Sequence, residues 1–158
     1  MLLPSRYIAP ASFAVADGWS IERLTPPSRL YGANGMRTGS DGLIYVAQVA
    51  GSQISTIDPD SGDIRTVSPM GSKIVGPDDL VFDEKGNLYA TEITEGRVTM
   101  LAADGTYRVI YDEIPVANPI TYHRGMLIAG ELRMGGRIME LDRHGGAPRA
   151  RVKSQIGG

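Results

Sequence analysis

An all-β fold built from three copies of one four-stranded unit is what this sequence predicts, and three observations predict it. First, three segments say nearly the same thing. Asn34-Gly35-Met36 leads to Gly42-Leu43-Ile44-Tyr45-Val46 and then Ile57-Asp58. Asp78-Asp79-Leu80 leads to Gly86-Asn87-Leu88-Tyr89-Ala90 and then Gly96-Arg97-Val98. Asn118-Pro119-Ile120 leads to Gly125-Met126-Leu127-Ile128-Ala129 and then Gly136-Arg137-Ile138. Tyr45 and Tyr89 are 44 residues apart, and Tyr89 and Ile128 are 39 apart. Second, turn dipeptides such as Asp41-Gly42, Ser61-Gly62, Asp104-Gly105 and Arg124-Gly125 separate short apolar runs. Glycine supplies 20 of 158 residues, well above the usual ~7%, as many tight turns require. Third, no stretch of ten residues shows helical periodicity. A repeat of roughly 40–50 residues made of short strands and glycine turns has the size of a β-propeller blade.

Taken in order, residues 1–33 are the least regular. Trp19-Ser20-Ile21-Glu22-Arg23-Leu24 alternates apolar and polar and predicts one half-buried leading strand, ended by Pro26-Pro27. Residues 34–158 then divide into three blades, at about 34–76, 77–116 and 117–155. The first holds strands at Gly35–Arg37, Leu43–Gln48, Gln53–Ile57 and Ile64–Val67. The second holds Leu80–Phe82, Leu88–Glu92, Arg97–Leu101 and Tyr107–Tyr111. The third holds Ile120–His123, Met126–Leu132, Arg137–Leu141 and Arg149–Val152. Propellers close with ~4–8 blades. Three alone would expose an unpaired edge and an apolar face at each end. The expected object is therefore half of a six-bladed propeller. A second copy, a different chain or the other product of a split precursor completes it, and alone the chain is expected to dimerise or aggregate.

Composition limits the partners. Sixteen Lys and Arg stand against 18 Asp and Glu, a net charge of −2, so no global field recruits nucleic acid or an anionic membrane. No apolar run approaches the ~18 residues of a membrane span. There are no cysteines, which excludes disulfides and thiolate metal sites. Met1 to Asp17 lacks a sustained apolar core and is not read as a signal peptide, which leans the expectation toward a cytoplasmic protein. Asp78 to Glu95 holds six acids and one lysine, and the segment from Arg143 onward is basic; both are read first as solvated surface.

Pro77-Asp78-Asp79-Leu80-Val81-Phe82-Asp83-Glu84-Lys85-Gly86-Asn87-Leu88-Tyr89-Ala90, followed by Gly96-Arg97-Val98, resembles the calcium-dependent six-bladed propellers of the regucalcin/gluconolactonase family. Ala117-Asn118-Pro119-Ile120 is similar to that family's asparagine element at the top of an innermost strand. The resemblance covers about residues 34–145. Phe-Asp-x-x-Gly-Asn-Leu-Tyr is shared with NHL-type and strictosidine-synthase-like propellers, and the Trp-Asp signature of the WD type is missing. The resemblance implies a metal in the central channel held by oxygen ligands, and Asn34, Asp78 and Asn118 occupy the matching positions. Asn34 stands where the family usually has Glu, and Asp78 where it often has Asn.

The residues make a case of their own. Blades set about one axis bring their first-strand starts together, so Asn34, Asp78 and Asn118 offer one anionic and two neutral oxygen donors. A hard cation such as Ca²⁺ takes ~6–8 oxygens, and with no Cys and only two His zinc is a poor match. Against this, Asn-Gly and Pro-Asp-Asp are also ordinary turn residues. A second ring, Gln48, Glu92 and Glu131, follows Tyr45, Tyr89 and Ile128 by three residues, and antiparallel pairing returns it to the same end of the blade. Glu92 or Glu131 is a candidate general base; the alternative is hydrogen bonding to backbone in the neighbouring blade. Asp79 beside Asp78 is a further candidate base, since adjacent carboxylates raise one another's proton affinity. His123 is a candidate channel-lining residue and Arg133 a candidate for a substrate carboxylate; a packed or surface role is the ordinary reading of each.

Three functions follow. The first is a metal-dependent hydrolase acting on a small lactone or ester, with Ca²⁺ in the channel and a carboxylate taking the proton from water. The second is a non-catalytic propeller half that binds a small molecule or protein. The third is metal-independent lyase or cyclase chemistry of the strictosidine-synthase-like kind, with Glu92 or Glu131 as the acid/base.

Overall fold

The computed structural model describes residues 14–26, 28 and 30–153. Twelve strands form three antiparallel sheets, each in the simple up-and-down order. The first sheet is β1 (Ala33–Thr38), β2 (Ile44–Gln48), β3 (Gln53–Ile57) and β4 (Ile64–Ser68). The second is β5 (Pro77–Phe82), β6 (Leu88–Glu92), β7 (Arg97–Leu101) and β8 (Tyr107–Tyr111). The third is β9 (Ala117–His123), β10 (Met126–Glu131), β11 (Arg137–Leu141) and β12 (Arg149–Lys153). Among the described residues there is no helix, and so none long and apolar enough to cross a membrane. The fold is all-β, three blades of a propeller, as the repeat predicts.

Side-chain alternation decides how the blades stack. On β6, Leu88 and Ala90 join the core shared with blade 1, whose members include Ala47, Ile54 and Leu80. Tyr89, between them, joins the core shared with blade 3, with Val98, Ile120, Leu127 and Met139. Successive residues of a strand point to opposite faces, so the middle blade is buried on both sides and every residue of β6 is buried. The innermost strands meet, β5 lying against both β1 and β9, which makes β5 the middle of the arc.

Two irregularities recur in all three sheets. Near the start of each innermost strand one extra residue is inserted. Asn34 and Gly35 face Ala47 alone, Asp78 has no opposite number between Pro77 and Asp79, and Asn118 and Pro119 face Gly130 alone. On each outermost strand a second bulge falls at Val67, Ile110 and Arg151. A bulge bends its strand and re-aims the side chains beside it.

The leading strand expected at Trp19–Leu24 is not formed. The segment has no ladder partner, and Trp19 is 75% and Ile21 54% exposed. Alternation supplies two faces but not the second strand that a ladder needs. The Leu24 carbonyl instead lies over the β3–β4 turn, 2.3 Å from where a Cβ on Gly62 would sit. The reading of Met1–Asp17 falls, for residues 1–13, outside the described residues.

Gly35 is where close approach demands glycine. A Cβ there would lie 2.3 Å from Asp79 Oδ1 and 2.6 Å from its Cα. Gly35→Ala should therefore cost about 2 kcal/mol through overpacking. Gly42→Ala, at φ +81° with nothing within 4 Å, should cost only the left-handed conformation, about 1 kcal/mol. Urea denaturation of both variants checks this; an equal or smaller loss for Gly35→Ala would show that the blades do not approach so closely.

Candidate functional site

The three innermost strands begin side by side, and their bulges turn Asn34, Asp78 and Asn118 toward one another. Asn34 Nδ2 donates to Asp78 Oδ1 at 2.5 Å, and Asn118 Nδ2 donates to Asp78 Oδ2. One carboxylate from the middle blade thus receives an amide from the blade on each side. Asp78 is 4% exposed, whereas Asn34 is exposed and Asn118 half-buried, so the cluster opens on the side of blade 1. The Asn118–Pro119 peptide is cis.

Asp79 points elsewhere. Its Oδ1 accepts from the Leu80 N–H at 2.9 Å. Its Oδ2 accepts from the Ile120 N–H of blade 3 at 3.2 Å and from Arg37 of blade 1 at 3.4 Å. The two neighbouring carboxylates share no partner, because the bulge at Asp78 turns one to the axis and leaves the other between the blades.

Gln48, Glu92 and Glu131 stand at the same end of the blades, across from the strand starts: Gln48 pairs Ala33, Glu92 pairs Pro77 and Glu131 pairs Ala117. All three are buried and saturated with donors. Glu92 Oε2 accepts from Arg97 Nε at 2.8 Å and from the Val75 N–H at 3.0 Å, and Oε1 accepts from the Thr99 hydroxyl at 2.7 Å. Gln48 repeats the arrangement with neutral partners. Its Oε1 accepts from the Tyr31 N–H at 2.8 Å and from Gln53 at 3.0 Å, and its Nε2 donates to Ser55 Oγ at 2.8 Å. Residues 31 and 75 lie on the segments entering their blades, so each side chain ties that segment to its own sheet.

Blade 3 modifies the clasp. Its β10–β11 turn has five residues, 132–136, where the equivalent turns have four, 49–52 and 93–96. Glu131 Oε2 therefore takes the Arg137 N–H at 3.0 Å along with Arg133 Nε at 3.2 Å, and Oε1 takes Arg137 Nε at 3.0 Å. Arg137 also reaches the Glu113 carbonyl on the entering segment at 3.3 Å. The Arg137 guanidinium on Glu131 outweighs burial and holds its carboxyl down at about 2. Arg133, the candidate for a substrate carboxylate, is committed to Glu131. The expected bonding of this ring to backbone is present but stays within each blade: Gln48 and Glu92 take an N–H of the entering segment, and Glu131 takes the Arg137 N–H of β11.

His123 is not brought to the site. It ends β9 beside the Arg124-Gly125 turn and pairs with Met126, while Asn118 lies at the other end of the strand, ~16 Å away at the rise of an extended chain. His123, the candidate channel-lining residue, thus belongs to an innermost strand but stands at the end of it away from the Asn/Asp cluster. Sequence reading missed the partners of Glu92 and Glu131, although the signal was present. Glu92 directly faces Arg97 across a hairpin, as Gln48 faces Gln53.

The donor chemistry suits a hard cation in part. Turning each amide through half a turn about its terminal bond presents Oδ1 in place of Nδ2. The three side chains then offer three oxygens, one of them charged, toward one region. Among the described residues no three His, Cys, Asp or Glu side chains gather as a metal group, so softer or higher-charge sites find no ligand set. Three oxygens are fewer than the ~6–8 of Ca²⁺; waters and groups from outside this chain would make up the rest.

No protein-family model matches the chain, and no curated protein does. Solved structures do. The chain is similar to a streptogramin B lyase, at 20% identity and a TM-score of 0.66 over 82% of this chain and 43% of that one. It is similar to a chain of the nidogen/laminin complex, at 18% and 0.70 over 81% and 51%. It is also similar to a gluconolactonase from Xanthomonas campestris, at 15% and 0.64 over 79% and 50%. At such identities the likeness is one of fold. The chain spans about half the length of each of these three structures.

The clasps make a pH prediction. Because the folded pKa of Glu131 lies below its ordinary value of 4.5, its contribution to stability is complete above that value and is lost as pH falls toward about 2. Urea denaturation from pH 7 to pH 2 should show a falling acid limb that Glu131→Gln makes shallower. Arg97→Ala, which leaves the buried Glu92 without its guanidinium, should cost about 3 kcal/mol at pH 7. An acid limb unchanged by Glu131→Gln would count against the clasp.

Proposed function

We propose that this chain supplies the metal-binding half of a lactone- or ester-hydrolysing propeller, with Asn34, Asp78 and Asn118 holding a divalent cation, most suitably Ca²⁺. The single observation that carries the reading is the convergence of these side chains, each from an equivalent strand bulge, around one nearly buried carboxylate. The similarity to gluconolactonases supports the reaction class, and the similarity in fold to other propellers leaves it a proposal.

Each residue of this chain has a distinct part in that reading. Asp78 supplies the negative charge that draws a cation to the axis. Asn34 and Asn118 add neutral oxygen dipoles and relinquish their hydrogen bonds to Asp78 when their amides turn. Asp79 ties β5 to Arg37 of β1 and to Ile120 of β9 and so helps fix the separation of the strands that carry the three donors. A cation bound there would supply Lewis-acid polarisation of an ester carbonyl. Arg97 engages Glu92, Arg133 and Arg137 engage Glu131, and Arg37 with two backbone N–H groups engages Asp79, so proton transfer from water falls to a group beyond this chain. Closure of the ring by a second half, from a second copy or another chain, belongs to the same proposal.

The test pairs calcium titration calorimetry with turnover of a γ-lactone and an aryl ester, before and after EDTA. Asp78→Asn should weaken Ca²⁺ binding at least about tenfold, the loss of one ionic ligand, and Asn118→Ala should weaken it less; both should lose turnover. Turnover indifferent to chelator and to Asp78→Asn would reject the reading in favour of a metal-independent propeller. Calcium binding without turnover would leave a binding module, the reading that similarity to a chain of the nidogen/laminin complex supports.

A further inference from the structure

The blades repeat a slot as well as a ring. It lies between neighbouring sheets at the end away from Asp78, bounded by the first hairpin of one blade and the end of the third strand of the next. Between blades 2 and 3 this slot is filled. Arg143, two residues beyond β11, places its guanidinium 5.2 Å from the centre of the Tyr122 ring. The same group donates to Asp83 Oδ2 at 3.2 Å and Glu84 Oε1 at 3.5 Å. Tyr89 donates its hydroxyl to Asp83 Oδ2 at 3.1 Å. Burial and that carboxylate push the Tyr89 phenol up to about 12.

Between blades 1 and 2 every equivalent position is present but the filling is gone. Ala103 stands where Arg143 stands, two residues past the leucine that ends β7, and Gly105 and Gly145 close the same turn. Gly39 and Ser40 stand for Asp83 and Glu84, Tyr45 for Tyr89 and Phe82 for Tyr122. The result is an open cleft of about 470 Å³, floored by Phe82, Leu88 and Leu101 and walled by Tyr45. That volume lies in the range of small-ligand sites, ~300–1,000 Å³. The Tyr45 and Phe82 rings meet edge to face with centroids 4.8 Å apart. The acid has moved by two residues: Asp41 Oδ2 accepts from the Tyr45 hydroxyl at 3.1 Å, and Oδ1 accepts from the Leu43 N–H at 3.2 Å. Glycine at 39 keeps this wall in place, since a Cβ would come within 2.6 Å of Asp41 Oδ1 and 2.7 Å of the Tyr45 ring.

We propose that the cleft between blades 1 and 2 binds a small organic cation with a flat apolar body, an amidinium or guanidinium by chemical class. The neighbouring slot shows which group this geometry receives: a planar cation against an aromatic ring, with its charge on a carboxylate. Here two aromatic rings and Asp41 remain and the side chain that would satisfy them is an alanine. Aromatic faces attract cations and repel anions. Among the described residues that line the cleft, the one opposing charge is Lys85, an exposed ammonium at the rim on a flexible stem that reaches water. The cleft is complete within two blades of this chain, so it depends neither on ring closure nor on the function proposed above.

Benzamidine, benzoate and benzyl alcohol, of one size and three charges, are titrated into the full chain and followed by amide NMR. Benzamidine should shift the Gly39, Ala103 and Gly105 resonances saturably, and benzoate should not. Asp41→Asn should weaken benzamidine about tenfold, the worth of a charge-assisted hydrogen bond, while leaving benzyl alcohol unchanged. Ala103→Arg, which rebuilds the filling of the sister slot, should abolish benzamidine binding; its amide spectrum reports whether it folds, and Asp41→Asn stands if it does not. Benzoate binding as tightly as benzamidine, affinity indifferent to Asp41→Asn, or no saturable shift would each overturn the proposal.

Discussion

One carboxylate, Asp79, is bonded to all three blades at once. It belongs to β5, accepts the Ile120 N–H from the middle of β9, and meets an arginine from β1. Blades in a propeller are otherwise joined by face packing and by the chain that leads from one to the next. Face packing has little direction, and apolar surfaces slide at small cost. A charged acceptor between three strands does have direction, and at 7% exposure it is shielded enough from water for its geometry to matter. Gly35 completes the constraint by letting the backbone of β1 pass against Asp79.

From that anchor the division of labour among the acids follows. An antiparallel strand shows successive side chains to opposite faces, so neighbouring aspartates would ordinarily part company across the sheet. The bulge changes this: Asp78 is swung to the axis while Asp79 stays in the seam. Glu92 and Glu131 then fasten the incoming segments of their blades with arginine, and blade 1 does the same with Gln48 and no charge at all. Architecture uses most of the carboxylates at this end, and chemistry is left with Asp78 and the amides beside it.

The strands were legible because their signals are local. Alternating apolar residues between Asp-Gly and Ser-Gly turns placed β2 to β4 and β6 to β8 almost residue for residue. What failed was what depends on distant partners. Trp19–Leu24 alternates as well as any strand but has no ladder to join. Pro77-Asp78-Asp79 reads in one alternative as a turn, and the innermost strands as starting at Leu80 and Ile120, whereas β5 and β9 already begin at Pro77 and Ala117, bulged. Arg143 read as part of a solvated basic stretch, yet the acid it seeks, Asp83, lies 60 residues earlier. The convergence of Asn34, Asp78 and Asn118 was foreseeable, since repetition about an axis converts sequence spacing into position. The inward turning of Glu92 and Glu131 follows from Arg97 and Arg137 opposite them, a partnership that the repeat alone leaves unassigned.

The outer bulges at Val67, Ile110 and Arg151 carry a consequence for life in a crowded solution. Among the described residues each blade ends in a strand whose far side has no mate, and β4 and β8 leave Val67 and Val109 substantially exposed. A straight, β-branched rim of that kind would invite foreign strands to add and fibrils to grow. The kink spoils the even spacing such growth needs, and Arg65, Arg108 and Arg149, one on each rim, set like charge against like. The periphery is thereby kept from becoming a template while the inner strands stay free to line a channel.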